Sequence, residues 1–516
     1  MLSALAKRLP AVARIRRFLD HPVETQQRVL DRLLRRASET EWGLRLGFAD
    51  ILRETDVAAA YRSAVPLHGY EDIRDDVQRI RRGVPDVLWP GRVTHFAVSS
   101  GTASDGKLIP VSRETIVANR RFSMGTMYNY IATTGRTDFL FGKFLSLPGR
   151  IHEDPVVPGN WMGQVSGLQV RYAPRFVTRF MQAVDDDTIY MASWEYKLRE
   201  VVRQTITTDV RSIATVPTWL MLLYEMLMEE HERLTGTKPE TVRDVWPNLS
   251  LVFTGGVALS GYRAVLDEQG GAGAVDMLET YGASEGFFAF QLDPSDRDMA
   301  LHLDNGIYYE FVELDGADSR NKGADGERRR LSIADVRPDV RYQMFVTTAS
   351  GLWAYEVGDV VKFTSVDPYR IVVAGRTNEM LDVYGEALFG DEARDALNEA
   401  CETTGARFVD YHISPLPLVR HGRPAHQWLI EFEREPDDTK LFVRVIDDRL
   451  RRVNMHYYIR REVALSAPEI VSLRRGTFYD WLDATRAEVN AQSKVPRMSE
   501  GRAIADRLLE LGGGAE

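Results

Sequence analysis

Apolar residues recur at helical spacing over 218–234, and Pro217 just ahead is a start signal, because proline's fixed φ suits a first helical turn. The same spacing over 25–36 predicts a second helix, preceded by a basic amphipathic segment in the first 17 residues that Pro10 is expected to interrupt. Short apolar runs ending in small or turn-forming residues predict strands at 92–99, 139–147 and 249–254. Helices and strands alternate, so the fold class expected is α/β, with a mostly parallel sheet flanked by helices. From 351 to 374 the pattern is β-rich, and it then changes to a helix at 391–401 and a strand at 427–433. That change puts a boundary near residue 378, giving a large N-terminal domain, 1–378, and a smaller α+β domain, 379–516. Segments 270–273 and 315–330, rich in Gly, Asp and Arg, read as surface loops.

Composition narrows the class. A chain of 516 residues exceeds one ordinary core, and 44% apolar with 27% charged residues is a globular balance. No apolar run reaches the ~18–20 residues of a spanning helix, so no membrane partner is expected. A net charge of −10 argues against a nucleic-acid binder and makes any anion site local. The single cysteine, Cys401, excludes an internal disulfide and reads as an apolar filler in a reducing, cytoplasmic compartment. Lys7, Arg8, Arg14, Arg16 and Arg17 resemble a transit peptide, but no cleavage-like region follows them.

Five segments carry candidate chemistry. SSGTASDGK at 99–107 follows an apolar strand, and its small and hydroxylated residues with Lys107 suit phosphate oxygens. It matches half of a P-loop, yet Leu108 stands where a Mg²⁺-binding hydroxyl belongs and Pro110 disfavours an immediate helix. In ETYGASEGF at 279–287, Tyr281 offers a stacking face, Ser284 a donor and Glu285 a hard oxygen ligand, although such residues around a glycine also make a plain turn. GLWAYEVGDVVKF at 351–363 reads as two strand pieces around a Gly358–Asp359 turn, whose carboxylate suits ribose hydroxyls or is merely a turn residue. GRTNEMLDVYGEAL at 375–388 holds Arg376 at a candidate hinge, and SKVPR at 493–497 holds Lys494; both side chains would ordinarily be solvated.

In this order the five segments resemble the adenylate-forming superfamily of acyl-CoA synthetases, adenylation domains and luciferases. With VPLHGYEDIRDDVQRIRRG, VWPNL, NGIYYEF, YYIRR and RRGTFYDW, they look like the auxin-responsive (Gretchen Hagen type) acyl acid amido synthetases over about residues 60–500. The resemblance implies an N-terminal adenylation domain closed by a mobile C-terminal lid, with ATP and Mg²⁺ as cofactors. A carboxylic acid and ATP would give an acyl adenylate, and an amine, usually an amino acid, would then displace AMP. Carried over by motif, Ser99, Ser100 and Thr102 contact phosphate, and Tyr281 and Ser284 the adenosine and α-phosphate. Glu285 holds the metal, Asp359 and Arg376 lie on the ribose side, and Lys494 is the lid lysine. The rival is an acyl-CoA or carrier-protein ligase, which shares the first half-reaction. Two departures stand out: 380–392 lacks the lysine that plant members carry, and Ser493 replaces a tyrosine before the lid lysine. Met124, Tyr128, Val216 and Trp219 fall in segments that could wall an acyl pocket, and simple core packing explains them equally well.

Overall fold

A computed structural model describes residues 9–98, 107–173, 177–191, 194–314, 329–376, 380–381, 383–384, 386, 388–416, 424–463, 465–485 and 495–513. Strand Leu251–Gly255 shows how its apolar run is used: Leu251 and Phe253 pack on one face with Val12, Tyr130 and Phe139, while Val252 on the other joins Ile213, Leu220 and Leu223. A strand buried on both faces needs helices on both sides, which is why its sequence is near-continuously apolar. It lies among parallel neighbours in the order Lys143–Ser146, Val210–Thr215, Leu251–Gly255 and Asp276–Ala283. Gly286–Phe290 and Met299–Leu301 continue the sheet antiparallel, followed by Tyr369–Arg376, Tyr355–Val366, Arg341–Thr348, Ile307–Glu313 and Arg330–Leu331, eleven strands in all. A smaller sheet runs Leu108–Pro110, His95–Val98, Trp161–Gly163, Ile151–Glu153.

The chain divides into two compact units, one with the residues through Val357 and Lys362–Val372, the other with Gly358–Val361 and the residues from Val373. In the second, Arg407–Leu416 and Ala425–Arg434 pair antiparallel, and Glu469–Leu473 runs parallel to the latter. Helices Gly390–Thr404 and Thr439–Val453 contribute to its core with Trp428, Ile430 and Leu397. Cys401 packs against that core, where burial pushes its thiol up to about 12, as an apolar filler would behave.

The helix at 218–234 is found as Pro217–Thr235 and that at 391–401 as Gly390–Thr404. Four expectations are corrected. Pro10 opens helix Pro10–Asp20 rather than interrupting one, since the first turn has no use for its missing N–H. Segment 139–147 is split: a 3-10 turn, Asp138–Phe141, precedes strand Lys143–Ser146. Gly142 separates them because a Cβ there would lie 2.5 Å from the Arg211 side chain. The smaller sheet also cuts the strand predicted at 92–99 to His95–Val98, with residue 99 outside the described set. Last, the surface loop read at 315–330 ends at a buried charge. Residues 315–328 lie outside the described set, but Arg330 opens strand Arg330–Leu331 and is 11% exposed, with its guanidinium 2.7 Å from Glu310, which is 1% exposed.

Lys197, on helix Trp194–Thr205, is also buried, 1% exposed. Its ammonium donates to Pro148 O at 2.9 Å and Ile189 O at 2.5 Å, tying down the loop after the edge strand Lys143–Ser146. Burial pulls its pKa down to about 7. An unfolded lysine titrates near ~10.4, so between these values the unfolded chain binds the extra proton and stability rises with pH. Urea midpoints should therefore show about 2 kcal/mol more stability from this group at pH 9 than at pH 7. Lys197→Met should flatten that rise, and an unchanged slope would remove Lys197 as its source.

Candidate functional site

Strands Lys143–Ser146, Val210–Thr215 and Leu251–Gly255 end together while Asp276–Ala283 runs three residues further, and in open α/β sheets ligands bind outside such carboxyl ends. Thr215 and Thr254 are register partners there, and both hydroxyls are buried with no hydrogen-bond partner among the described residues. Buried hydroxyls are normally satisfied, so such a pair marks a place where a ligand or water belongs. Beside them the chain leaves strand Leu251–Gly255 through Gly256, whose φ of 83° is open to glycine and whose missing Cβ would meet Val216 at 3.1 Å. Sequence reading missed both threonines, because in an apolar strand a threonine reads only as β-branched filler.

Asp276–Ala283 turns straight back into Gly286–Phe290, with Ala283 opposite Gly286, so Ser284 and Glu285 form the whole loop. A two-residue loop holds its side chains rigidly with respect to the sheet. Tyr281 is buried with its ring 5.0 Å from Phe288, Ser284 is half-buried, and Glu285 is only 7% exposed. The structure thus brings these three together at one tip. Tyr355 lies close enough that burial first, and the Glu285 charge second, raise its hydroxyl well above the usual phenol value. The Tyr70 hydroxyl accepts a hydrogen bond from Leu108 N at 3.0 Å, with the Lys107 ammonium 5.9 Å from its ring. The end of the candidate phosphate segment is therefore anchored at the start of helix Tyr70–Arg81.

Ser99, Ser100 and Thr102 lie outside the described residues, as does Lys494. The strands flanking 99–107 are nonetheless informative: Val98 pairs antiparallel with Leu108, so the segment joins two strands, not the strand and helix of a P-loop. Arg376 closes strand Tyr369–Arg376, and its side chain is outside the described set. Asp359 is buried, but the turn expected around it is absent: Tyr355–Val366 is one continuous strand, in which Gly358 takes a φ of 85°. A single left-handed glycine bends the strand locally without ending it. Tyr128 packs with the cluster around Val12 and Tyr130, and Val216 and Trp219 with the core under the parallel strands.

In the second unit the hairpin Met380–Leu381 with Leu388–Phe389 follows directly. Glu386, in its turn, accepts from Tyr384 N at 2.7 Å and pairs with His426 Nε2 at 2.8 Å, both partners fully buried. Burial opposes charge on the Glu386 carboxyl, but His426 and the backbone N–H groups that it accepts from together hold the group below its usual value. Tyr457 and Arg461, of the YYIRR segment, both bind Asp447, and Glu431 accepts from Gly476 N and Phe478 N of the RRGTFYDW segment. These segments build the unit's own interior. Among the described residues no group of three His, Cys, Asp or Glu could hold a metal, and no helix is long and apolar enough to cross a membrane.

Comparison with known proteins identifies the family and the fold. The chain is 24% identical over 554 residues to indole-3-acetic acid-amido synthetase GH3.4 of Arabidopsis thaliana, covering 92% of this chain and 89% of that one. It is likewise 24% identical over 565 residues to indole-3-acetic acid-amido synthetase GH3.8 of Oryza sativa subsp. indica, covering 93% and 89%. Among solved structures, the GH3.15 acyl acid amido synthetase superposes with a TM-score of 0.75 at 17% identity, covering 96% and 95%. A 2-hydroxyisobutyryl-CoA ligase in its postadenylation state superposes with 0.58 at 14%, covering 94% and 91%, which identifies the mixed α/β fold of adenylate-forming enzymes. Residues 11–150 match the GH3 family N-terminal domain, 300–376 its central domain and 391–503 its C-terminal domain, in order along the chain. With those three domains in sequence over one continuous fold, the chain belongs to the GH3 family.

Proposed function

We propose that this chain is an ATP-dependent acyl acid amido synthetase, a ligase that adenylates a carboxylic acid and passes the acyl group to an amine, an amino acid in this reading. The observation that carries the reading is the hairpin tip between two interior strands of the large sheet, where Ser284 and a nearly buried Glu285 form a two-residue loop that follows the buried Tyr281. A carboxylate is a poor electrophile and attacks an already anionic phosphate, so the site must screen charge while aligning oxygen with phosphorus. Ser99, Ser100 and Thr102 contact the phosphates in this reading, Tyr281 and Ser284 the adenosine and α-phosphate, and Asp359 and Arg376 the ribose side. The fit to Mg²⁺ is good, since that ion keeps waters and phosphates and asks the protein for one or two carboxylates, here Glu285. When bound, the ion neutralises phosphate charge. The lid, residues 379–516, brings Lys494 to the reacting oxygens, with the hinge near residue 378. The reaction is that of a soluble cytoplasmic enzyme, with no nucleic-acid or membrane partner.

Acid-dependent exchange of labelled pyrophosphate into ATP, run over a panel of acids, tests the first step. Mass spectrometry of products formed with amino acids or coenzyme A tests the second. The expected product is an amide and AMP; a thioester alone would replace this reading by an acyl-CoA ligase, and no exchange with any acid would end it.

A further inference from the structure

Of the SKVPR segment, Val495, Pro496 and Arg497 are described while Lys494 is not. The described part runs along strand Arg407–Leu416. Ile413 N donates to Arg497 O at 2.8 Å, Ser499 N donates to Ile413 O at 3.1 Å, and Met498 pairs with Ile413 in parallel. Closer to residue 494 the tie is a side chain: His412 Nδ1 donates to Pro496 O at 2.5 Å. A carbonyl only accepts, so Nδ1 carries the hydrogen. Nε2 of the same ring stands 3.3 Å from Ser499 Oγ, which donates to Gly501 O at 2.7 Å. His412 is 0% exposed, so one interior ring reaches both ends of the stretch 496–499. Val495 is buried with Leu429 and Leu473, and the Arg497 guanidinium lies 3.6 Å from Asp410. Apolar burial sets how deep Val495 sits but is non-directional, whereas a hydrogen bond from the histidine fixes orientation. Phenylalanine would fill the same space at less cost to the core. What the histidine adds is a hold on the backbone two positions after Lys494.

We propose that His412 is a positioning residue for Lys494: by holding the Pro496 carbonyl and bracing the Ser499 hydroxyl, it fixes the stretch of backbone from which the lysine is presented in the adenylation step. The inference rests on the function proposed above and on the role given there to Lys494. An ammonium offsets charge developing on phosphate oxygens only when it stands in the right place, and a misplacement of ~1 Å costs on the order of 10²-fold. The histidine itself touches backbone and serine, and no proton passes through its ring.

Two substitutions separate holding from filling: His412→Phe keeps the ring's bulk and removes the donor, while His412→Asn keeps a donor near the place of Nδ1. Acid-dependent pyrophosphate exchange, measured per folded molecule, should fall ~10–100-fold in kcat for His412→Phe, with KM for ATP and acid little changed. His412→Asn should recover most of that loss. In a Lys494→Ala background His412→Phe should change exchange by less than ~2-fold, as expected of two residues acting through one step. Wild-type kcat in His412→Phe, an equal loss with and without Lys494, or no recovery in His412→Asn overturns this inference and leaves the function standing. Should circular dichroism show His412→Phe unfolded, the half-buried Ser499 decides. A several-fold lower kcat in Ser499→Ala that vanishes in the Lys494→Ala background supports the hold, and wild-type exchange overturns it. Wild-type exchange in Lys494→Ala removes that lysine and this inference together, and a wild type without exchange for any acid sinks the function as well.

Discussion

Lys494→Ala lowers acid-dependent pyrophosphate exchange by roughly 10²–10³, the scale of removing one preorganised charge-stabilising donor from a polar reaction. In the proposed reaction negative charge accumulates on phosphate oxygens as carboxylate oxygen approaches the α-phosphorus, and the Lys494 ammonium would offset it only at that stage. The loss should therefore fall on kcat for exchange, while KM for the acid changes little, because the interaction is absent from the ground state. Arginine at this position should rescue poorly, since its planar fork does not replace a compact point charge. Exchange in Lys494→Ala equal to wild type would take this lysine out of the first step and leave only the second half-reaction for it.

Arg330→Ala has the largest expected effect on stability, about 3–5 kcal/mol in denaturant unfolding, because it strands the Glu310 carboxylate inside the protein. The pair is held by two contacts of 2.7 Å, and Arg330 also donates to the carbonyls of Arg62 and Val65, so four acceptors lose their donor at once. Burial already raises the Glu310 carboxyl above its usual value, with Arg330 opposing. Without the guanidinium the folded value rises further. A folded state with the higher value binds an extra proton as pH falls, so the variant's deficit should shrink between pH 8 and pH 5. A loss under ~1 kcal/mol, typical of an exposed pair, would contradict the buried-pair account.

That pair also shows where the sequence stops being readable. Arg330 ends a charged run without apolar periodicity, and only its partner across the sheet, twenty positions away in sequence, makes it interior. By contrast, helices Pro217–Thr235 and Gly390–Thr404 follow from local periodicity and were legible to within a few residues. The tip residues Tyr281, Ser284 and Glu285 were legible as a motif, because the constraints on them are local. Tyr355, Thr215 and Thr254 were not: what distinguishes them is a missing hydrogen bond, a property of the folded surroundings rather than of the residue. YYIRR and RRGTFYDW carried the family resemblance, yet their side chains serve the packing of one unit, so a strong motif need not touch a ligand.

The hairpin with only Ser284 and Glu285 in its loop has an evolutionary corollary. Adding or deleting one residue there would turn every following side chain of Gly286–Phe290 to the opposite side of the sheet. Length variation is thus closed off at this point, and change there has to proceed by substitution, leaving the tip itself a fixed ruler.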